Sequence, residues 1–226
     1  MELQQLEAIR GLDTCTVSNA IETFNLRLRN EGFADASIRC IFPHLPPMLG
    51  YAVTGRIRCS GPPPVGHTYF DRTDWWDHLL SIPAPRVVVM EDIDSKPGLG
   101  AFAGEVHANI LLALGCAGVV TNGAVRDLQA VEPTGFHFFA GNVAVSHAYV
   151  HVVEFGSPVE LGGLRISPGD LIHGDRHGIV SVPKEVAAEI PATAVRILER
   201  ERKVIHLCRS PEFSVERLRA AVKELE

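Results

Sequence analysis

The order of hydrophobic and polar residues along the chain alternates between the periods of helices and of strands. Near the start, the apolar spacing predicts an amphipathic helix from Leu12 to about Phe24, capped at Asp13 or Thr14. Further along, Tyr51–Cys59 alternates as a half-buried strand does. The uninterrupted apolar run in Arg86–Glu91 is typical of a strand buried on both faces. Together these patterns predict an α/β protein.

The middle of the chain carries the most regular pattern. Glu105–Leu114 has the apolar spacing of a helix, and Gly115 suits its C-terminal cap. Ala117–Thr121 then predicts a buried strand, and Asn122-Gly123 after it is a dipeptide that favours a turn. The sequence of strand, helix and strand predicts a β-α-β unit.

From Phe138 onward the pattern changes to short apolar runs separated by Gly- and Pro-containing turns. These runs predict a β-meander or a barrel-like layer built from Phe138–Val145, Tyr149–Phe155, Val159–Ile166, Asp170–His173 and Ile179–Val182. From Lys184 the sequence is helical and charged, and Pro191 and Pro211 divide it into pieces. We therefore predict one α/β domain over residues 1–226, of which residues 184–226 form a C-terminal helical arm.

Composition and charge narrow the functions open to this chain of 226 residues. Hydrophobic residues make up 46% and charged residues 21%, which predicts a packed globule. The formal net charge of −6 gives no general attraction to nucleic acid or to an acidic membrane surface. The apolar stretches are too short to span a bilayer, and the first residues lack the features of an export signal. We expect a cytoplasmic protein without nucleic-acid or membrane partners.

The cysteines and histidines give no sign of a zinc site. The five cysteines are scattered and form no CxxC pair, so we expect them to be small buried hydrophobic residues. His147 and His151 have a spacing that chelates zinc only on a helix. Their neighbours predict a strand, in which such positions lie about 13 Å apart. With Tyr149 they would line one strand face, either as substrate contacts or as an ordinary polar face.

Two segments combine the groups that bind a small anion. Gly104–His107 opens the middle helix, and Gly123–Asp127 leaves the strand that follows it. The helix and strand between them bring both segments to one end of the sheet, where open α/β sheets bind ligands. Free N–H groups at a helix start attract an anion, and the guanidinium of Arg126 matches a carboxylate with two donors. Asp127 supplies an oxygen ligand suited to Mg²⁺ or Mn²⁺.

This combination suits a small 2-oxo acid, whose carboxylate Arg126 and the amides would hold while the metal polarises the ketone. An Arg-Asp pair in a solvated turn is the alternative interpretation. Chemistry on a ketone through a Schiff base needs a desolvated lysine, and the four lysines lie in a Pro-Gly loop or in polar stretches: Lys96, Lys184, Lys203 and Lys223. The residues therefore favour a metal-dependent mechanism through a stabilised enolate.

Three segments resemble a known protein family. Gly104–Asp127, which reads GEVHANILLALGCAGVVTNGAVRD, is similar to the signature of the RraA-like family. Asp170–Pro183 resembles its closing hairpin, and Thr14–Ala20 resembles its opening helix. The family includes the 4-hydroxy-4-methyl-2-oxoglutarate aldolases, also called HMG/CHA aldolases, and the regulators of ribonuclease E activity. The resemblance implies swivelling β/β/α layers of the phosphohistidine-domain-like type, assembled as homotrimers or homohexamers with active sites between subunits.

The resemblance also implies roles for particular residues. Asp127 would hold the divalent metal, and an acidic residue from a neighbouring subunit's C-terminal helix would act as proton partner. Glu199 and Glu201 are the candidates for that partner, and a solvated charged helix face is the alternative interpretation of both. The carboxylate and keto oxygen of pyruvate would be bound by the backbone amides of Gly104, Glu105, Val106 and His107 and by the side chain of Arg126.

The leading hypothesis is a Mg²⁺- or Mn²⁺-dependent class II aldolase that releases pyruvate from a 4-hydroxy-2-oxo acid. Oxaloacetate decarboxylation in the same site would pass through the same enolate. The alternative is a non-catalytic regulator that binds a ribonuclease through its outer surface. The stretch Phe139–Asn142 lacks the arginine that commonly follows the family's equivalent strand, so the part of the substrate beyond pyruvate is left open.

Overall fold

A mixed sheet forms the centre of the computed structural model, which describes residues 1–68 and 71–224. The strands in chain order are β1 Arg39–Cys40, β2 Met48–Arg58, β3 Arg86–Asp92, β4 Ala101–Ala103, β5 Cys116–Val125, β6 His137–Val143, β7 His151–Phe155, β8 Val159–Leu161, β9 Leu164–Ile166, β10 Leu171–Asp175 and β11 Gly178–Val182. The α-helices are α1 Leu3–Arg10, α2 Thr14–Glu22, α3 Asp74–Ser81, α4 Glu105–Ala113, α5 Leu128–Val131, α6 Ile190–Arg209 and α7 Val215–Lys223. Nine of the strands in these described ranges join the central sheet, and β8 pairs with β9 beside it.

The middle of the sheet is parallel and its ends are antiparallel. The order is β1-β6-β5-β3-β2-β10-β11, in which β2, β3, β5 and β6 run parallel. Phe33 and Ala34 bond to β11, whereas Arg39 and Cys40, a few residues later, pair with β6 at the other end of the order. This segment therefore nearly closes the sheet into a barrel. The result confirms the α/β class and the barrel-like layer, with a helical C-terminal part.

The central strands are buried on both faces, as the sequence predicts for β3. Val87 and Val89 pack into the cluster that includes the β8–β9 hairpin, whereas Val88 and Met90 pack into the cluster that includes α3 and α4. Successive side chains of a strand point to opposite faces, so one apolar run supplies two core layers. The helix that covers one of these layers, α4, begins at the candidate site.

The Asn122-Gly123 turn is a wrong prediction. Both residues lie inside β5, which continues to Val125. The Asn122 side chain takes over the pairing with β3: its Oδ1 accepts from the Asp92 amide at 2.7 Å, and its Nδ2 donates to the Asp92 carbonyl at 3.0 Å. The register shifts between Thr121 and Ala124, so the dipeptide produces an irregularity within a strand.

Other boundaries also differ from the sequence predictions. Residues 147–150 form a loop before β7, so His147, Tyr149 and His151 do not share a strand face. Val159–Ile166 is two strands, because Gly162 and Gly163 have positive φ and form a tight turn. Of the five cysteines, Cys59 and Cys116 are buried and Cys40 is half-buried, whereas Cys15 and Cys208 are exposed. The expectation that all five are buried is therefore wrong.

Helix α6 packs on the first two helices, and α7 contacts α6. Ile190 of α6 joins Ile9 of α1 and Val17 of α2 in a third apolar cluster. Pro191 lies in the first turn of α6, where a missing N–H costs nothing, so it does not divide the helix. Pro211 lies between α6 and α7. No helix among the described residues is long and apolar enough to cross a membrane.

We expect the free energy of unfolding to decrease as the pH falls from 6.5 to 4. His173 is buried between Thr14 Oγ1, 3.0 Å from its Nδ1, and the Leu12 carbonyl, 3.1 Å from its Nε2. Burial lowers the pKa of His173 from 6.5 to about 4. As the pH falls, the unfolded chain takes up this proton at a higher pH than the folded protein does. His173 therefore lowers the free energy of unfolding by about 1.4 kcal/mol for each pH unit between 6.5 and 4. Urea unfolding at successive pH values measures the slope.

The matched variants for this measurement are His173→Asn and His177→Asn. His173→Asn removes the buried imidazole, so we expect a shallower slope between pH 4 and 6.5. The side chain of His177 is 51% exposed on the same hairpin and lies 3.0 Å from Asp175, so its replacement should change the slope less than the loss of His173 does. An unaltered slope in His173→Asn would show that the buried His173 imidazole does not cause the pH dependence.

Candidate active site

A cavity of about 450 Å³ opens where β4 and β5 end and α4 begins. Five of the residues predicted for the site line it, namely Gly104, Val106, His107, Arg126 and Asp127. The parallel pairing of β4 with β5 explains this convergence, because Ala103 lies opposite Val125 in the ladder. The next residue of each strand therefore leaves the sheet at the same edge, and the Arg126 amide donates to the Ala103 carbonyl at 2.9 Å.

Asp127 lies against the first turn of α4. Its backbone has φ 56° and ψ 37°, a left-handed conformation that aspartate tolerates better than most residues. Asp127 Oδ2 accepts a hydrogen bond from the Glu105 amide at 3.1 Å and lies 3.4 Å from Arg126 Nε. The side chains of Arg126 and Asp127 are 36% and 39% exposed, so both remain accessible from solvent.

Gly104 leaves the space that this arrangement needs. A Cβ atom at residue 104 would lie 2.3 Å from Asp127 Oδ2 and 3.0 Å from Arg126 Cγ. The backbone of Gly104 is extended, with φ −140° and ψ −160°, so the requirement for glycine is one of space alone. Glycine therefore allows the Arg-Asp pair to approach the helix start.

The helix start and Arg126 supply the positively polarised groups in this part of the cavity. The first N–H groups of a helix have no partner within the helix, and the helix dipole adds partial positive charge there. Asp127 uses the amide of Glu105, and the amides of Val106 and His107 follow it along the first turn of α4. The geometry can hold a small anion between these amides and the Arg126 guanidinium.

His107 contributes a buried, neutral ring beside this anion site. Its Nδ1 lies 3.0 Å from the Phe102 carbonyl, and its ring makes edge contacts with Phe102 and Trp75. Burial lowers the pKa of His107 to about 4. The ring is therefore uncharged near neutral pH, and Nδ1 carries the proton that it donates to the carbonyl. The sequence predicts a substrate-binding role for the amide of this residue and none for its ring.

The loop before β7 forms a wall of the cavity and includes His147 and Tyr149, two of the residues offered by the sequence as possible substrate contacts. His147, Ala148, Tyr149 and Val150 line the cavity, whereas His151 is buried with its Nδ1 2.8 Å from the Tyr149 carbonyl. The Ala101 amide donates to the Ser146 carbonyl at 2.9 Å, which fastens this loop beside β4. The apolar residues of this loop indicate that the loop is partly buried, but their pattern does not indicate which part of the protein they contact.

Three candidate residues do not line the cavity, namely Glu105, Glu199 and Glu201. The side chain of Glu105 is exposed in the first turn of α4, although its amide bonds to Asp127. Glu199 is exposed on α6, in the layer that packs on α1 and α2 rather than on α4. Glu201 is half-buried on the same helix.

A buried cluster of one cysteine and two aspartates holds two segments of the chain together. Cys59, Asp92 and Asp94 have ligand atoms within 4.8 Å of one another. Asp94 accepts from the amides of Cys59 and Ser60, and Asp92 accepts from the amide of Gly98. These carboxylates therefore fasten the loop after β3 to the end of β2.

These features define an α/β protein in which a helix start, an arginine and an aspartate meet at one cavity. The chain belongs to the RraA-like family, described as Aldolase/RraA, whose sequence profile matches residues 14–181. It is 35% identical over 85 residues to a Halalkalibacterium halodurans protein whose assignment as a 4-hydroxy-4-methyl-2-oxoglutarate aldolase is provisional. That match covers 37% of this chain and 40% of the relative, so the chain spans less than half of the relative's length.

Two solved structures share the fold over most of the chain. An uncharacterized protein from Pseudomonas syringae pv. tomato has a TM-score of 0.74 and 23% identity, covering 97% of this chain and 94% of its own. RraAS2 from Streptomyces coelicolor, an unusual member of the RNase ES inhibitor RraA protein family, has a TM-score of 0.69 and 20% identity, covering 89% and 96%. At this identity the likeness is one of fold.

Proposed function

We propose that this protein is a divalent-metal-dependent lyase that cleaves a 4-hydroxy-2-oxo acid to pyruvate. The observation that carries the proposal is the convergence of Arg126, Asp127 and the α4 start at one cavity, with Asp127 Oδ2 3.1 Å from the Glu105 amide. The family description and the name of the aldolase relative support it. All four lysines are exposed, namely Lys96, Lys184, Lys203 and Lys223, which supports a mechanism without a Schiff base.

The residues at the helix start have a defined task in this reaction. Cleavage breaks the C3–C4 bond, its electron pair remains on C3 and spreads to the C2 oxygen, and the C4 hydroxyl loses its proton. C3 later takes up a proton to give pyruvate. The Arg126 guanidinium and the amides of Val106 and His107 bind the developing negative oxygen more strongly than the neutral ketone, which lowers the barrier. Oxaloacetate would lose carbon dioxide through the same enolate.

The donor set at Asp127 fits a hard divalent cation. Its two contacts with described residues use Oδ2, which leaves Oδ1 as the oxygen for a metal. Mg²⁺ is commonly bound through one or two carboxylates, with waters and substrate oxygens completing the set. Asp127 would hold Mg²⁺ or Mn²⁺, and the bound ion would polarise the substrate's keto group as a Lewis acid.

The test is pyruvate release, followed with lactate dehydrogenase and NADH against a blank without the protein. The substrates are 4-hydroxy-4-methyl-2-oxoglutarate, 4-hydroxy-2-oxopentanoate and oxaloacetate. We expect turnover with Mg²⁺ or Mn²⁺, a loss of at least tenfold with EDTA, and recovery when the metal is restored. No pyruvate from any substrate would overturn the proposal, and binding to a ribonuclease in a pull-down would then favour a regulator.

We also propose that the chain forms one domain over residues 1–226, with residues 184–226 as its helical arm, in swivelling β/β/α layers of the phosphohistidine-domain-like type. The continuous sheet and the packing of α6 on α2 support this arrangement. The assembled protein would be a homotrimer or homohexamer. Val106 and Tyr149, which are 74% and 56% exposed while lining the cavity, favour a neighbouring subunit that covers them.

In this assembly Glu199 of a neighbouring subunit would act as the proton partner. We expect Glu199→Gln to lower kcat about a hundredfold, because general acid–base groups contribute at least that much. The matched control is Glu216→Gln, at an exposed glutamate of α7, which should leave kcat unchanged. Steady-state kinetics gives kcat, and light scattering after gel filtration checks that the assembly is intact. Equal kcat values for the two variants would remove Glu199 from the mechanism.

A further inference from the structure

We infer that the substrate carries an apolar, uncharged group on C4, such as an alkyl chain or an aryl ring, rather than a second carboxylate. This inference rests on the proposed function, because Arg126 and the helix start are taken to bind the pyruvate part. The remainder of the cavity is lined mostly by apolar side chains, including Trp76, Phe102, Ile110 and Val150.

Positive charge in the cavity is confined to the pyruvate end. Among the lining residues within 1–68 and 71–224, Arg126 is the one lysine or arginine, and it lies 3.4 Å from Asp127. His107 is buried and held neutral by its surroundings, with a pKa of about 4. His147 is an exposed residue whose Nδ1 lies 2.9 Å from the Ala148 carbonyl. Within this chain a second carboxylate would therefore leave water without a cation to compensate it, which is unfavourable.

The size of the cavity also favours a substrate with an apolar group on C4. Its volume of about 450 Å³ lies in the range of pockets that enclose a whole drug-sized ligand, and pyruvate has only three carbons. Each methylene that moves from water onto the apolar walls improves binding about fourfold. A four- to six-carbon group on C4 would gain from contacts with Trp76 and Ile110 that a short polar group cannot make.

The test compares three substrates that share the pyruvate part. They are 4-hydroxy-2-oxopentanoate, 4-hydroxy-2-oxooctanoate with an alkyl chain, and 4-hydroxy-2-oxoglutarate with a second carboxylate. We expect kcat/KM for the octanoate to exceed that for the glutarate at least tenfold, with the pentanoate between them. A glutarate that reacts equally well or better overturns this inference and leaves the proposed function intact. No pyruvate from all three overturns both.

A pair of variants at Ile110 sharpens the comparison. Ile110 lies one turn after Val106 on α4, is half-buried and lines the cavity, so the helix surface can accept a longer side chain. Ile110→Arg adds a cation to the apolar wall and should reverse the preference toward the glutarate at least tenfold. Ile110→Leu keeps the apolar wall and should retain the preference for the octanoate. If the arginine variant keeps that preference although thermal melting shows it folded, the inference fails.

A binding measurement gives a readout that does not depend on turnover. N-hexyloxamate and N-oxalylglycine both carry the two-carbon oxo-acid group, followed by an alkyl chain or by a second carboxylate. Calorimetric titration with metal present should give a Kd for N-hexyloxamate at least tenfold lower than for N-oxalylglycine. Equal Kd values, or tighter binding of the dicarboxylate, would count against an apolar substrate.

Discussion

Replacing Arg126 by alanine is expected to lower kcat/KM for pyruvate release about a thousandfold. The guanidinium is the charged donor beside the α4 start, and removing one preorganised donor to an oxyanion typically costs two to three orders of magnitude. Arg126→Lys keeps a positive charge but loses the planar pair of donors, so we expect an intermediate loss of about a hundredfold. Steady-state kinetics with the coupled pyruvate assay measures both.

The controls separate this catalytic effect from a loss of stability. Arg126 and Asp127 form a partly exposed ion pair, and such pairs contribute about 0–1 kcal/mol, so the Tm of Arg126→Ala should change little. Arg176 is an exposed arginine on the β10–β11 hairpin, and Arg176→Ala should retain full activity. Undiminished turnover in Arg126→Ala would remove the proposed role of this residue and, with it, the enolate mechanism at this site.

Substituting Gly104 by alanine is expected to lower kcat/KM about a hundredfold while the protein remains folded. The new Cβ would lie 2.3 Å from Asp127 Oδ2, so the carboxylate must leave its position beside the Glu105 amide. A displacement of about 1 Å in an active site can cost a hundredfold in rate. Because Asp127 is partly exposed, its side chain can move without disturbing the core, and kinetics rather than melting should report the change.

Gly11→Ala is the matched control for this substitution. A Cβ on Gly11 would lie 3.5 Å and 3.7 Å from its nearest neighbours, which is ordinary contact, and its φ of −70° is helical. We expect unchanged kinetics and a free energy of unfolding that rises slightly, because alanine restricts the unfolded chain. If Gly104→Ala behaves in the same way, the close approach of Asp127 to α4 is not needed for function.

The convergence of Gly104, Arg126 and Asp127 at one cavity could be predicted because its geometry is local. Gly104 and Asp127 are separated by one helix and one strand, and β4 pairs in parallel with β5. A short parallel unit returns the chain to the edge that it left, so residues just beyond both strands must meet. The buried α4 and β5 have strong periodic patterns, which made this unit the most reliable prediction.

The remaining cavity wall could not be predicted, because its contacts join distant parts of the chain. Trp76 and Tyr149 face the same cavity although more than seventy positions separate them in the sequence. The predicted turn at Asn122-Gly123 was wrong for a related reason. Its turn preference was overridden when the Asn122 amide found partners on β3, which no pattern near residue 122 indicates.

Periodicity and short-range chemistry thus established the α/β class, the helix that opens at Gly104 and the Arg126-Asp127 pair after β5. Folding established how the sheet curls through residues 33–40, which apolar residues enclose the cavity and how little room exists beside Gly104. The division has a physical cause. Periodic burial and backbone preference act between residues a few positions apart, whereas the shape of a cavity depends on side chains that meet only after the whole chain has packed.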